Sequence, residues 1–150
     1  MKPLLILVGT FIIAILLLKL IKGAIDYSLA GRIAMSLMLI FTAMGHFMFT
    51  QGMAQMVPNA IPSKIAIVYL SGIFEILLAI GLLVPKYKVS TGWILMLFFI
   101  LILPANIKAS LESINYETGE LDGKGPGYLW FRVPLQVLFI FWVYFSTIRE

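Results

Sequence analysis

The sequence has no cysteine and few charged residues. None of its 150 residues is cysteine, so the chain cannot itself form a disulfide, a thiolate metal site or a thiol-exchange centre. Charged residues make up 12% of the sequence, against roughly 25% in ordinary soluble domains. Because 61% of the residues are hydrophobic, the chain carries more apolar surface than a soluble domain of this size can bury. The composition therefore excludes an ordinary soluble domain.

The charged residues that do occur are not arranged for binding nucleic acid or metal. The formal net charge is +4, but Lys and Arg occur at the ends of apolar segments and not in a stripe that could follow a phosphate backbone. This distribution excludes nucleic-acid binding. A single histidine without other clustered ligands gives little support for a metal site. We expect no metal and no intrinsic cofactor.

Five apolar segments make up most of the chain. Each approaches the roughly 20 residues that an α-helix needs to cross a bilayer. They lie at residues 3–21, 33–49, 65–84, 89–107 and 128–148. They predict an all-α polytopic membrane helix bundle of about five spans, in a single membrane domain that covers residues 1–150.

The first apolar segment also resembles a secretory signal, because Lys2 precedes a long apolar stretch. No small-residue cleavage site follows it. Lys19 and Lys22 follow instead, and a lysine at the end of a span can extend its ammonium group to the membrane interface. We interpret the segment as an uncleaved first helix.

The positions of Lys and Arg predict the orientation, since these residues are enriched in cytoplasmic loops. Five alternating spans put six of them on one side, namely Lys19, Lys22, Arg32, Lys86, Lys88 and Arg149. The other side receives Lys2, Lys64, Lys108 and Lys124, with Arg132 just inside the last span. We expect a multi-pass protein of a bacterial plasma membrane. Its N-terminus would lie outside the cell and its C-terminus in the cytoplasm.

Two longer loops fall on the outer side in this topology. The loop at residues 50–64 is rich in Met and Pro and too apolar for a free linker, so we expect it to lie along the interface as a lid. The loop at residues 108–127 is acidic and rich in glycine, which is typical of a solvated loop.

Polar side chains within the spans are the candidate functional residues, because ionisable groups in a membrane are costly and rarely occur without a role. Glu75 is the deepest, about 16 Å along the helix from Lys64 at about 1.5 Å per residue. The topology brings five such side chains toward the outer half of the bundle, and we predict that they line one ligand site: His46, Glu75, Asn106, Arg132 and Gln136.

Pro104 and Pro134 interrupt the last two spans. Each proline removes a backbone donor and frees the carbonyl group four residues earlier. The side-chain amides of Asn106 and Gln136 are candidate partners for these carbonyls, as is trapped water. Kinked helices would also leave a pocket between them.

A purely structural interpretation is open for each of the five residues. Glu75 can be a neutral carboxyl or can pair with Arg132 and lock two helices together. Arg132 can belong to an interfacial aromatic belt, and His46 can be a satisfied interfacial residue. Asn106 and Gln136 can cap or bridge helices.

Several segments, taken in order, resemble the DoxX-like family of small membrane proteins. They are GRIAMSLMLIFTAMGHF, MVPNAIP, SGIFEILLAIGLLVP, PANIKAS and RVPLQVLFIFW. The most specific are the SG-x-x-E segment that ends at Glu75 and the R-x-P-L-Q segment from Arg132 to Gln136. The resemblance implies a four-helix core at residues 31–150, with residues 1–30 as an extra N-terminal span and cytoplasmic linker.

The resemblance implies a scaffold that is used for several tasks. Some members are the small subunit of a thiosulfate:quinone oxidoreductase, some are linked to redox-stress membrane complexes, and animal relatives act as assembly chaperones for receptors. We expect an outward-facing intramembrane pocket for a lipophilic ligand such as a quinone, in a redox-associated accessory subunit rather than an autonomous enzyme. The alternative is a non-enzymatic assembly or chaperone-like partner protein whose polar cluster is structural.

If redox chemistry occurs at this pocket, its residues would have different roles. Glu75 and His46 would carry protons, and Arg132 would stabilise a negative oxygen. The sequence has no cofactor motif, so electrons would come from a membrane or redox protein partner.

Overall fold

The fold is all-helical across residues 2–149, the part of the chain that the computed structural model describes. The helices are α1 (Lys2–Lys22), α2 (Tyr27–Met48), α3 (Thr50–Met56), α4 (Lys64–Leu83), α5 (Lys88–Leu111) and α6 (Leu129–Val143). A 3-10 turn, Pro126–Tyr128, leads into α6, and a π-helical turn, Tyr144–Ile148, extends it. Within this described range five helical segments are long and apolar enough to cross a membrane. The predicted all-α membrane bundle of five spans is confirmed.

Helix α2 lies at the centre of the bundle. It begins after Asp26, whose side-chain oxygen accepts a hydrogen bond from the Leu29 amide at 2.9 Å and so satisfies a free donor of the first turn. It packs against α1, α4 and the end of α6. Fully buried side chains around it form the main core: Leu7, Met35, Met38, Leu39, Leu82, Leu95 and Val143. Many other apolar side chains are exposed on the outside of the bundle, as a lipid-facing surface requires.

One end of the bundle, here called the cap end, is covered by α3 and by the loop at residues 112–125. Gly52 of α3 lies against the backbone of Tyr116 in that loop, where a Cβ atom would collide with the Tyr116 carbonyl oxygen. The rings of Phe49 and Tyr116 meet edge to face, 5.9 Å between centroids. The two parts of the cap are therefore packed directly on each other.

Lys108, near the end of α5, holds the end of α3 in place. Its ammonium group donates hydrogen bonds to the carbonyl oxygens of Gln55 at 2.8 Å and Val57 at 3.0 Å. A cation satisfies the last carbonyls of a helix and interacts favourably with the helix dipole. The segment expected to be a lid thus contains a short helix that α5 caps.

The acidic loop has internal backbone structure, although its composition predicted only a solvated loop. The Asn115 amide donates to the Glu120 carbonyl at 2.8 Å, and the Gly119 amide donates to the Asn115 carbonyl at 2.7 Å. The side chain of Ile114, within the loop, is buried. The loop is therefore a folded part of the cap.

The start of α1 is joined to the same loop. The Lys2 ammonium lies 2.9 Å from a carboxylate oxygen of Glu117, which also accepts a hydrogen bond from the Tyr116 hydroxyl at 3.0 Å. These two bonds, the one from Lys2 first, hold the pKa of Glu117 below its ordinary value. Burial raises the pKa of Tyr116 and keeps its hydroxyl protonated.

At the opposite end of the bundle, the last turns of α6 pack against two glycines. A Cβ at Gly31 of α2 would lie 2.6 Å from the Cβ of Ser146, and one at Gly92 of α5 would lie 3.0 Å from Cγ2 of Thr147. The Trp142 indole nitrogen donates to the Gly31 carbonyl at 3.1 Å. These contacts bring α6 close to both α2 and α5.

Candidate functional site

Glu75 is a buried carboxyl within α4 that faces α2. The residue is 4% exposed. Its Oε1 lies 3.6 Å from Nε2 of His46, and its Oε2 accepts a hydrogen bond from the Thr42 hydroxyl at 3.0 Å. The ionisable partner of Glu75 is thus His46 and not Arg132, the pairing considered from the sequence.

The other ring nitrogen of His46 is held by the first half of α4. Nδ1 lies 2.8 Å from Oγ of Ser71 and 3.1 Å from the carbonyl oxygen of Val68. Gly72 packs against the same side chain, since a Cβ there would be 2.9 Å from the Cβ of His46. All three specified residues of the SG-x-x-E segment, Ser71, Gly72 and Glu75, therefore contact His46.

A second polar group bridges α5 and α6. Arg132 Nη1 donates to Oδ1 of Asn106 at 3.0 Å, and Nδ2 of Asn106 donates to Oε1 of Gln136 at 3.2 Å. The Gln136 amide nitrogen donates in turn to the Phe99 carbonyl. The guanidinium carbon of Arg132 lies 5.4 Å from the centre of the Tyr128 ring, a cation–π contact. The R-x-P-L-Q segment thus links the last two spans.

The five predicted residues form two separate hydrogen-bonded groups. His46 and Glu75 lie between α2 and α4, whereas Asn106, Arg132 and Gln136 lie between α5 and α6. The sequence identified the members of each group but not their division. Gln136 was a candidate partner for the Ile100 carbonyl, which Pro104 leaves free. Its amide nitrogen bonds instead to the carbonyl of Phe99, one residue earlier.

Thr42 belongs to the first group and was missed from the sequence. Its hydroxyl lies 3.0 Å from Glu75 and 3.0 Å from the Leu39 carbonyl of its own helix. Its position in the sequence could have identified it, because Thr42 precedes His46 by four residues and so lies on the same face of α2.

Two open clefts lie at the cap end, outside the polar groups. One, of about 270 Å³, is lined by residues 47–52 with Tyr69 and Glu117, directly beyond the turn that carries His46. The other, of about 350 Å³, lies between α3 and the start of α4. Neither cleft is lined by any of the five predicted residues. In residues 2–149 no cluster of three or more His, Asp or Glu side chains is arranged to hold a metal ion.

Comparison with known families identifies one match. Residues 35–147 match the model of a family described as a domain of unknown function, DUF8561. The chain belongs to the DUF8561 family. The DUF8561 region begins inside α2 and contains both polar groups, whereas α1 lies before it. No curated protein and no solved structure matches the chain.

Proposed function

We propose that this DUF8561 protein binds a lipophilic ligand with a polar head, such as a quinone, beside the His46–Glu75 pair. The observation that carries the proposal is a carboxyl that is 4% exposed, within an apolar span, and paired with a histidine at 3.6 Å. Ionisable groups at such depth are rare because they are costly, and they mark ligand or proton pathways in membrane proteins. The DoxX-like resemblance of the SG-x-x-E segment points to the same class of ligand.

The polar head would reach the pair from the cap end. The His46 side chain is 18% exposed and that of Glu75 only 5%, so His46 is the more accessible member. The adjoining cleft is flanked by the rings of Phe47 and Tyr69, 5.8 Å between centroids, which suit a flat apolar ligand. Its volume of about 270 Å³ is below the roughly 300 to 1,000 Å³ of typical ligand pockets. Entry of a complete ligand would therefore require α3 to move.

In this proposal the chain is a redox-associated accessory subunit and not an autonomous enzyme. A partner membrane protein would supply or accept electrons, because the sequence contains no cofactor motif. We place the protein in the cell membrane, a bacterial plasma membrane. The excess of Lys and Arg at the opposite end of the bundle supports an outward-facing cap end, with the N-terminus outside and the C-terminus in the cytoplasm.

One observation favours a second candidate, an assembly or chaperone-like partner protein. Asn106, Arg132 and Gln136 bond to one another and to the α5 backbone, so they hold α5 to α6 without any ligand. Polar bonds between spans of this kind stabilise helix packing in membranes. In the second candidate function the His46–Glu75 pair would have the same structural role between α2 and α4.

Lipid extraction from the purified protein tests the first proposal. We expect a quinone near one per chain in the wild type and in Glu120→Gln, an exposed carboxyl changed in the same way, and its loss in Glu75→Gln. Arg132→Ala separates the two polar groups: loss in this variant as well would show that both groups contact the ligand. A folded wild type that carries no quinone, and binds none when it is added, would rule out the proposal.

Crosslinking in native membranes tests the second candidate. If the chain is an assembly protein, crosslinking should recover the same partner with the wild type and with Glu75→Gln. A partner whose binding requires the ligand should be lost in Glu75→Gln. Recovery of no partner protein would count against an assembly role.

A further inference from the structure

We infer that His46 and Glu75 form a proton-transfer pair of fixed polarity, with Ser71 as the residue that positions the ring. Nδ1 of His46 keeps its hydrogen, and the exchangeable proton lies between Nε2 and Oε1 of Glu75. Proton transfer within the pair does not require that a ligand be bound.

The contacts of Nδ1 decide which ring nitrogen carries the permanent hydrogen. Nδ1 lies 3.1 Å from the Val68 carbonyl oxygen, which can only accept, and 2.8 Å from Oγ of Ser71. The Ser71 hydroxyl is itself 2.8 Å from the same carbonyl. If Ser71 donates to the Val68 carbonyl and accepts from Nδ1–H, a hydrogen atom lies in each of the three contacts among Nδ1, Oγ and the carbonyl oxygen. The reverse arrangement would leave both Nδ1 and the Ser71 oxygen facing the carbonyl with lone pairs only.

With Nδ1 fixed as a donor, Nε2 is the only ring atom that can exchange a proton. It faces Oε1 of Glu75 at 3.6 Å, beyond hydrogen-bond distance, so transfer requires the two side chains to approach by about 0.5 Å or one water to bridge them. In one form Nε2 carries a hydrogen, and an imidazolium faces a carboxylate. In the other the proton has moved to the carboxyl, leaving a neutral imidazole and a carboxylic acid. One N–H bond breaks and one O–H bond forms, no electron moves, and the pair has no net charge in either form.

Thr42 can serve both forms of Glu75. Its hydroxyl lies 3.0 Å from Oε2 of Glu75 and 3.0 Å from the Leu39 carbonyl. Beside a carboxylate, Thr42 donates to Oε2. Beside a carboxylic acid that has received the proton on Oε1, Oε2 is still an acceptor, and Thr42 continues to donate to it. Proton transfer therefore leaves no buried hydroxyl without a partner.

At the cap end of the surrounding helices, within residues 2–149, the lysine and arginine side chains bond to other groups. Helix α3 has no titratable residue. Lys64 of α4 bonds to Asn59, Lys108 of α5 bonds to the α3 carbonyls, and Arg132 of α6 bonds to Asn106. Lys2 of α1 bonds to Glu117. The pair therefore has to balance its own charge, which a single shared proton does.

Nitrogen NMR on the ligand-free, full-length protein in lipid vesicles tests this directly, because His46 is the only histidine. With [15N]histidine, we expect Nδ1 to show a bonded hydrogen at every pH from about 5 to about 8, the range in which histidine ordinarily titrates. The Nε2 signal should lie between the values of a protonated and an unprotonated ring nitrogen, as exchange of its proton with Glu75 requires. A wild-type ring with hydrogen on Nε2 and none on Nδ1 would overturn the inference.

Variants at Ser71 test the positioning role. Ser71→Ala should give a mixture of both ring tautomers, and Ser71→Thr, which retains the hydroxyl, should restore the wild-type signal. An unchanged Nδ1 signal in folded Ser71→Ala would remove Ser71 from the inference. Since the wild-type spectrum alone decides the tautomer, a variant that fails to fold does not leave the question open.

Infrared spectroscopy tests the exchange itself. We expect a protonated carboxyl band that shifts in D₂O, persists in Glu120→Gln and is lost in Glu75→Gln. A Glu75 that stays ionised while Nε2 keeps its hydrogen at every pH would overturn proton exchange. Because both measurements use ligand-free protein, their failure is distinguishable from a failure to find bound quinone.

Discussion

Gly72 of α4 lies directly against His46 of α2. A Cβ at Gly72 would be 2.9 Å from the Cβ of His46 and 3.3 Å from the ring of Phe47. The missing side chain lets the two helices approach closely at the level of the histidine. As a result Glu75, one turn farther along α4, reaches to 3.6 Å from the imidazole.

Replacing Gly72 should therefore destabilise the bundle and separate the pair. Gly72→Val adds three carbon atoms at a full contact, for which we expect a loss of about 1 to 3 kcal/mol in the free energy of unfolding. Thermal unfolding in detergent measures it. Gly9→Val is the matched control, since nothing lies within 4 Å of a Cβ at Gly9. Equal stability of the two variants would contradict the close contact.

Lys108→Gln should loosen α3. The ammonium group bonds to the carbonyls of Gln55 and Val57 at the end of α3, and the Lys108 side chain is 15% exposed. Hydrogen bonds from charged groups contribute about 1.5 to 3 kcal/mol, so local opening of α3 should become at least roughly tenfold more frequent. Amide hydrogen exchange over residues 50–59 reports this opening. Lys86→Gln at the opposite end should leave the rate unchanged, and no acceleration in Lys108→Gln would show that the cap is held by other contacts.

The contact between Lys2 and Glu117 should weaken in acid. Its bonds hold the pKa of Glu117 below the ordinary 4.5, so the stabilisation is present above that value and is lost as the pH falls through the lowered pKa. A spin label at Thr118→Cys should gain mobility as the pH falls below 4.5 and through the lowered pKa of Glu117. Glu117→Gln should abolish this transition and Glu120→Gln should retain it. Because the pair is exposed, added salt should reduce the effect.

The absence of cysteine allows the orientation to be tested with single cysteines. Leu121, 73% exposed in the cap loop, and Ile25, 40% exposed between α1 and α2, lie at opposite ends of the bundle. In intact cells a membrane-impermeant maleimide should label Leu121→Cys and should label Ile25→Cys only after permeabilisation. The reverse pattern would invert the proposed topology.

The spans could be predicted from the sequence, because each is an uninterrupted apolar segment whose length is fixed by the bilayer. Their ends were less accurate. Helix α2 begins at Tyr27, within a mixed stretch where the Asp26 cap and burial against α1 outweigh composition. Helix α3 has only 7 residues and precedes a proline, so no periodic pattern marks it.

Polar residues within the spans could be recognised from the sequence, but their arrangement could not. Depth along each span follows from residue counting, and this placed His46 and Glu75 in the same half of the bundle, where their side chains meet. Which helices are neighbours is decided by packing, through small residues such as Gly72, and residue counting does not reveal it. Residues at similar depth were therefore assigned to one group, whereas Asn106 and Gln136 bond on a different pair of helices.

Glycines at the end of the bundle opposite the cap leave little room between the helices. There Gly31 and Gly92 bring the end of α6 against α2 and α5, and a Cβ at Gly81 of α4 would be only 2.5 Å from Oγ1 of Thr91 on α5. A side chain at any of these three glycines would force a neighbouring helix to shift. In the proposed function, the opening that a ligand needs would therefore form at the cap end, where the Lys108 side chain holds the end of α3.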